Sequence, residues 1–165
     1  IYTYNKKRKK LNCINSFNTN ASYQNEIVAA DKNYVTIHNS DQPAEVGWIS
    51  WNIPYKYSKG KLVAATTSTT TVKSLIANNK KDKYSKYFAK NQFVTAKKLT
   101  FYNGSKVAYT VPKGKVVTLT KLSLSKDVIY LQFKYGKKTG WAHVNGAKYN
   151  FSKPWFQGVN ARLAG

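Results

Sequence analysis

The chain has 165 residues, enough for one sizeable domain or two small ones. It carries 28 Lys and Arg against 6 Asp and Glu, a formal net charge of +22, and 42% of its residues are apolar and 15% aromatic. That bulk excludes a disordered basic tail, and the absence of any apolar run near the ~20 residues a spanning helix needs excludes a transmembrane helix.

In chain order, residues 1–4 alternate as a strand, 5–10 form a basic turn, and 27–30 are apolar. Residues 34–38 alternate again, 39–45 read as a loop, and 46–51 as a closing strand; Tyr34 and Ile37 read as core. The low-complexity stretch 64–71 fits both an extended linker and an edge strand. Val72, Leu75 and Ile76 then show helical spacing, 78–83 is a solvated loop, and Tyr84, Tyr87 and Phe88 either continue a short helix or pack onto the second half of the chain. From Val94 onward the pattern is firmer. Runs of four to six β-branched and aromatic residues (107–111, 116–119, 128–133, 140–144) are punctuated by Asn103-Gly104, Pro112-Lys113-Gly114, Tyr135-Gly136 and Asn145-Gly146. Short strands at such spacing predict a small all-β barrel. Residues 150–165 contain Pro154-Trp155-Phe156 and no clear strand.

The two halves resemble each other. Residues 23–28 match 112–117, 31–38 match 127–134, and Val46-Gly47-Trp48-Ile49 matches Thr139-Gly140-Trp141-Ala142, in the same order with offsets of 89, 96 and 93. Offsets that drift by a few residues are expected where loops differ and strands do not, which predicts two copies of one β module.

Catalytic chemistry finds little to work with. The carboxylates Glu26, Asp31, Asp41, Glu45, Asp82 and Asp127 are scattered, and His38 and His143 are the only neutral-pH bases. Nothing suggests the paired carboxylates of a glycosidase, and no HExxH, GxSxG, phosphate-loop or Cys–His signature occurs. The lone Cys13 forms no intramolecular disulfide and supplies no Cys-pair zinc site; it reads as a filler of a small apolar gap. The expectation is a non-enzyme with no catalytic residue, metal or small-molecule cofactor. The chain opens at Ile1 without a charged-then-apolar leader, which is read as a processed protein or a fragment.

The charge asks for a partner. Of the basic residues, all but Arg8 and Arg162 are Lys. Planar bidentate recognition favours Arg, whereas a Lys field acts as dispersed point charges suited to a repeating polyanion. Nucleic acid, an anionic membrane surface and phosphate- or sulfate-bearing surface polymers all have that property.

The segment 129–144, a Tyr-bearing strand followed by a Lys/Gly turn and Gly140-Trp141, resembles the Gly-Trp modules of bacterial SH3-like repeats that attach proteins to Gram-positive cell walls. The hairpin at 111–119 fits the same pattern, as do Tyr34 to His38 with Val46-Gly47-Trp48-Ile49. The opening Ile1-Tyr2-Thr3-Tyr4-Asn5-Lys6-Lys7-Arg8-Lys9-Lys10 is similar to attachment domains of lactobacillal surface-layer proteins. The first copy departs from the pattern in having Gln24-Asn25 in place of the Lys-Gly turn.

The resemblance implies an all-β chain of two tandem SH3-like barrels: a first module at 1–57, a connecting segment at 58–92 with room for a short helix and with part of it open to assignment to the second module, a second module at 93–149, and an extension at 150–165. It implies a secreted protein on a Gram-positive cell wall or surface, bound to teichoic or lipoteichoic acid or another anionic wall polymer. The expected contacts are Lys6, Lys7, Arg8, Lys9, Lys10, Lys113, Lys115, Lys137 and Lys138. Trp48 and Trp141 are expected to wedge into the modules, while Trp51, Tyr55, Tyr57 and Trp155 stack on sugar rings or pack at an interface. Self-association in a surface layer is a compatible structural role. A basic nucleic-acid-binding barrel is the rival, disfavoured by the scarcity of Arg and the lack of an aromatic RNA-binding signature.

Overall fold

A computed structural model describes residues 2–13, 24–76, 82–125, 128–144 and 154–159. The chain is all-β; its described residues form three antiparallel sheets, none of which closes into a barrel. Strands β1 (Tyr2–Asn5) and β2 (Lys10–Cys13) form a separate hairpin.

The N-terminal sheet runs β3 (Gln24–Ala30), β4 (Tyr34–Asp41), β5 (Ile49–Ser58) and β6 (Lys61–Ala64). Its spine is the β4–β5 pair, in register from Tyr34 opposite Lys56 to Asp41 opposite Ile49. Period two decides its faces. Ile37, Ile49, Trp51 and Ile53 all point inward and are at most 3% exposed. Asn39 to Asp41, expected in a loop, instead prolong β4: they are polar yet buried, and Asn39 Nδ2 donates to the Ile37 carbonyl at 3.0 Å. The closing strand accordingly starts at Ile49, and Val46-Gly47-Trp48 belongs to the turn before it.

The segment after β6 is neither a free linker nor a helix at Val72–Ile76. β7 (Ser68–Thr69) lies against the C-terminal sheet, pairing with Leu122 and Ser123, while β8 (Lys73–Ser74) returns to Ile49 and Ser50 of β5. Val72 and Ile76 are buried because they flank β8 and reach the core between the sheets. A single helical turn, α1 (Ser85–Phe88), comes next and buries Phe88.

The C-terminal sheet adds β9 (Gln92–Val94), β10 (Leu99–Asn103), β11 (Lys106–Val111), β12 (Val116–Ser125), β13 (Val128–Tyr135) and β14 (Lys138–Val144), in the order β11-β10-β14-β13-β12, with β9 and β7 both on β12. These strands follow the sequence pattern closely. Inside lies an aromatic cluster: Phe93 packs on Phe88, Phe133 and Phe156 with centroids 5.4, 6.0 and 4.8 Å away, and Phe101 stacks on Tyr109 at 4.9 Å. Burial of each such ring contributes about 1.5–3 kcal/mol. Tyr109 Oη donates to the Phe133 carbonyl at 2.6 Å, and burial pushes its phenol pKa up to about 12.

The two larger sheets share one core, and the segment 154–159 fastens them. Trp155 N–H donates to the Glu45 carbonyl of the first half, and Ala96 N–H and Gln157 N–H tie the same segment to the second. Phe156 bridges to Thr95, and Val159 sits against Gly47. Trp155 is therefore an interface residue, edge-on to Phe156 at 6.3 Å.

Each half contains a three-stranded antiparallel meander, β3-β4-β5 and β12-β13-β14. The Gly-Trp pairs, however, stand in different places. Gly140 is opposite Phe133 within β14. At the 96-residue offset Phe133 corresponds to Ile37, whose partner is Ile53, so Ile53-Pro54 occupies the place of Gly140-Trp141. Gly47-Trp48 lies beyond the end of the β4–β5 pairing.

Candidate polyanion-binding surface

The expected contacts sit in turns whose geometry is fixed. Residues 6–9 form the exposed loop of the β1–β2 hairpin, with Lys9 in the left-handed region at φ 47°. Lys10 opens β2. In the second half, Tyr135 pairs with Lys138 across a two-residue turn, with Gly136 at φ +58°. A glycine at the first central position suits the twist of the flanking strands. Lys137 and Lys138 project from this turn and are exposed.

The turn carrying Lys113 and Lys115 is stapled from below by Thr95. That buried residue accepts from Gly114 N–H at its carbonyl and bonds Lys115 through both N–H and hydroxyl, and the hydroxyl also donates to the Pro112 carbonyl at 2.7 Å. Thr118 pairs with Lys134. Stepping outward from that pair leads to Lys115 along β12 and to Lys137 along β13, so both lysine turns stand at the same end of the β12–β13 pair. Lys97 and Lys98 precede Leu99, which pairs with Val111 just before the stapled turn. Lys97, Lys98, Lys113, Lys115, Lys134, Lys137 and Lys138 are all exposed.

Charge is unevenly spread. From residue 83 onward there are sixteen Lys and Arg and a single acid, Asp127; up to residue 82 there are twelve and five. The C-terminal half therefore presents an almost uncompensated positive field.

The aromatic expectations divide. Trp51 does not stack on ligand: it is 3% exposed, because its place in β5 shares the inward face with Ile49 and Ile53. Tyr55 is half-buried against the core, and burial raises its phenol pKa. Trp48 and Trp141 are half-buried. Tyr57 is 55% exposed, and Tyr34, expected in the core, is 42% exposed. These two tyrosines line an open cleft with Lys32, Asn33 and Lys56 at one end of the β4–β5 pair. The odd spacing between Tyr34 and Ile37 was the available signal, since an odd step places two strand residues on opposite faces.

Of the two histidines, His38 Nδ1 hydrogen-bonds Asn52 Oδ1 at 2.7 Å, and the exposed His143 ring lies 6.1 Å from Tyr130. Asp127 and the 145–146 turn lie outside the described residues, as does the side chain of Cys13. One carboxylate pair had no sequence signal. Asp41, 3% exposed, and Glu45 across the tight turn at 42–47 each keep a buried oxygen without a hydrogen-bond partner. Burial, with a smaller push from Glu45, raises the Asp41 pKa to about 6. Among the described residues no third His, Cys, Asp or Glu joins them to make a metal site, and no helix is long and apolar enough to cross a membrane.

No family model, curated protein or solved structure matches this chain. What the surface offers is dispersed positive charge on exposed turns. Lysine turns of this kind neutralise a flexible phosphate chain at several points without reading a code.

Proposed function

We propose that this chain is a non-catalytic wall-binding region that anchors a secreted surface protein of a Gram-positive bacterium to teichoic or lipoteichoic acid. One observation carries the reading: the exposed lysine turns at 112–115 and 136–138, fixed on a buried β scaffold, in a half that holds sixteen basic residues and one acid. Each phosphate contact is weak; their sum, helped by counter-ion release, is strong and steeply salt-dependent. The lysine hairpin at 6–9 adds a second point of attachment, and two linked sites on one chain gain avidity. Each half is read as a variant of the small SH3-like module, the second closer to it because a hairpin, β10–β11, folds onto its meander through the Tyr102–Trp141 pairing.

Co-sedimentation with purified wall sacculi, native and stripped of teichoic acid, across a salt series tests this. Binding lost on stripping and unaffected by a competing DNA duplex is the expected result. Equal binding to stripped walls moves the site to peptidoglycan, and salt-sensitive DNA binding without wall binding overturns the reading.

Contact between copies, as in a surface layer, has its own observation. The outer edge of β3 exposes Ile27 and Val28, 52% and 47% accessible, and the strand contains no lysine to discourage edge pairing. Val28→Lys lowering the sedimentation coefficient at high protein concentration would support that role.

A further inference from the structure

The strongest unassigned feature is the cleft beside the β3–β4 turn. It joins two exposed phenol rings, Tyr34 and Tyr57, to two lysines, Lys32 and Lys56, and an amide, Asn33. The walls are held in place. Asp31 accepts from Asn33 N–H at 2.6 Å and from Tyr34 N–H at 2.8 Å, and its own N–H donates to the Tyr34 carbonyl. Those bonds hold the Asp31 carboxyl below its ordinary pKa and occupy its near oxygen. Tyr34 is locked opposite Lys56 by the β4–β5 register, and Tyr57 opposite Leu62 by β6.

This combination differs from the lysine turns of the C-terminal half. A phosphate chain alone uses the ammonium groups and gains nothing from phenol faces. A neutral sugar uses the phenol faces and has no need of two cations. A ligand that alternates phosphate with a sugar or polyol uses both. We propose, resting on the wall-polymer reading above, that Lys32, Asn33, Tyr34, Lys56 and Tyr57 seat one glycosylated polyol-phosphate repeat. The ammonium groups hold its phosphate, the tyrosine rings lie against the sugar, and Asn33 bonds a hydroxyl. The site supplies selection for decorated polymer, where the lysine turns supply charge.

The second half provides a control. Tyr130, at the corresponding place in β13, is 37% exposed but has His143 rather than a lysine across the strand.

The test titrates the full chain, as wild type, Y34A/Y57A, K32Q/K56Q and Y130A, with three probes at one fixed salt concentration. The probes are glycosylated polyglycerol-phosphate lipoteichoic acid, inorganic polyphosphate and oligo-thymidylate. Far-UV circular dichroism and Tm check that the substitutions, all at exposed positions, leave the fold intact. Loss of one stacked ring pair is expected to weaken lipoteichoic acid binding by Y34A/Y57A about five- to tenfold. K32Q/K56Q should weaken it similarly. Polyphosphate affinity should fall less than twofold in Y34A/Y57A, and Y130A should match wild type. An unchanged affinity of Y34A/Y57A for lipoteichoic acid overturns the cleft assignment while leaving the anchor reading intact. A larger loss on oligo-thymidylate than on lipoteichoic acid assigns the rings to nucleic acid and overturns it too. A wild-type chain that fails to bind lipoteichoic acid sinks the anchor reading before any variant is compared.

Discussion

Thr95 and Lys115 hold each other through three hydrogen bonds: Thr95 N–H to the Lys115 carbonyl at 2.9 Å, Thr95 Oγ1 to the same carbonyl at 3.2 Å, and Lys115 N–H to Thr95 Oγ1 at 3.0 Å. A wholly buried threonine thereby shapes the turn that displays the two lysines. Thr95→Val keeps the volume and removes the hydroxyl, leaving Lys115 N–H and the Pro112 carbonyl short of a partner. The expected cost is about 1–3 kcal/mol, a fall in Tm of about 3–10 °C, with faster exchange of the Lys115 amide. Unchanged melting and amide protection would show that the turn holds its shape without the staple.

Gly140 and Gly47 are glycines for different reasons, and their alanine variants should behave differently. A Cβ on Gly140 would lie 2.9 Å from Phe101 Cβ, 3.0 Å from Tyr109 Cε1 and 3.1 Å from Ala108 Cβ, so the β10–β11 hairpin must back away from β14. Overpacking of that kind costs about 1–3 kcal/mol. Gly47 has φ +74° and meets the flexible tip of Ile76 at 2.9 Å, so its variant pays for backbone strain, about 1 kcal/mol, more than for contact. Urea melts of G140A and G47A should rank them in that order, and near-ultraviolet dichroism of the Phe101–Tyr109 stack should change only in G140A.

The parts that sequence made legible are those where alternation and turn chemistry agree. Strands β10 to β14 follow their apolar alternation, and the Gly104 and Gly136 turns fall where the pattern breaks. The β4–β5 hairpin was less legible because Asn39, Ser40 and Asp41 are polar and buried together, which composition alone assigns to a loop. Trp51 illustrates the same limit from the other side: alternation puts it on one face with Ile49 and Ile53, and only the folded sheet shows that this face is the buried one. The lysine turns could be named from sequence, since Gly and Pro mark them. The cleft could not, because Tyr34 and Tyr57 are 23 positions apart and meet only through strand pairing.

Asp41 should make stability depend on pH in an unusual direction. Its carboxyl is pushed up to about 6 by burial, against an ordinary value of 3.8, so the folded state holds the proton more tightly than the unfolded state. Below about pH 4 both states are protonated and Asp41 costs nothing. Between about pH 4 and 6 the unfolded state ionises first and stability falls; above about 6 the penalty is constant. Asp41→Asn removes the charge, keeps an acceptor for the Gln42 N–H and offers a donor toward Glu45. Relative to wild type the variant should be more stable by about 2 kcal/mol at pH 7, with the difference vanishing near pH 4. A difference in Tm that stays flat from pH 4 to 7 would show that the Asp41 carboxyl titrates alike in the folded and unfolded states.

Attachment through lysine turns makes a quantitative claim on salt dependence. For nucleic acids each neutralised phosphate contributes about 0.7–0.9 to the slope of log affinity against log salt, and a flexible wall phosphate chain should behave near the lower figure. Replacing Lys113, Lys115, Lys137 and Lys138 with Gln removes four exposed charges without touching the Thr95 staple or the Tyr135–Lys138 backbone pairing. The slope for lipoteichoic acid should then flatten by up to about 3, with affinity falling most at low salt, where the released counter-ions matter most. Replacing Lys6, Lys7, Arg8 and Lys9 tests the other attachment point. If both hairpins bind one polymer, each set of four should flatten the slope, and the eight-fold variant should lose more affinity than the two losses combined, because avidity disappears along with the charge. If the slope responds to neither set, the charge is a solvated surface and attachment rests elsewhere.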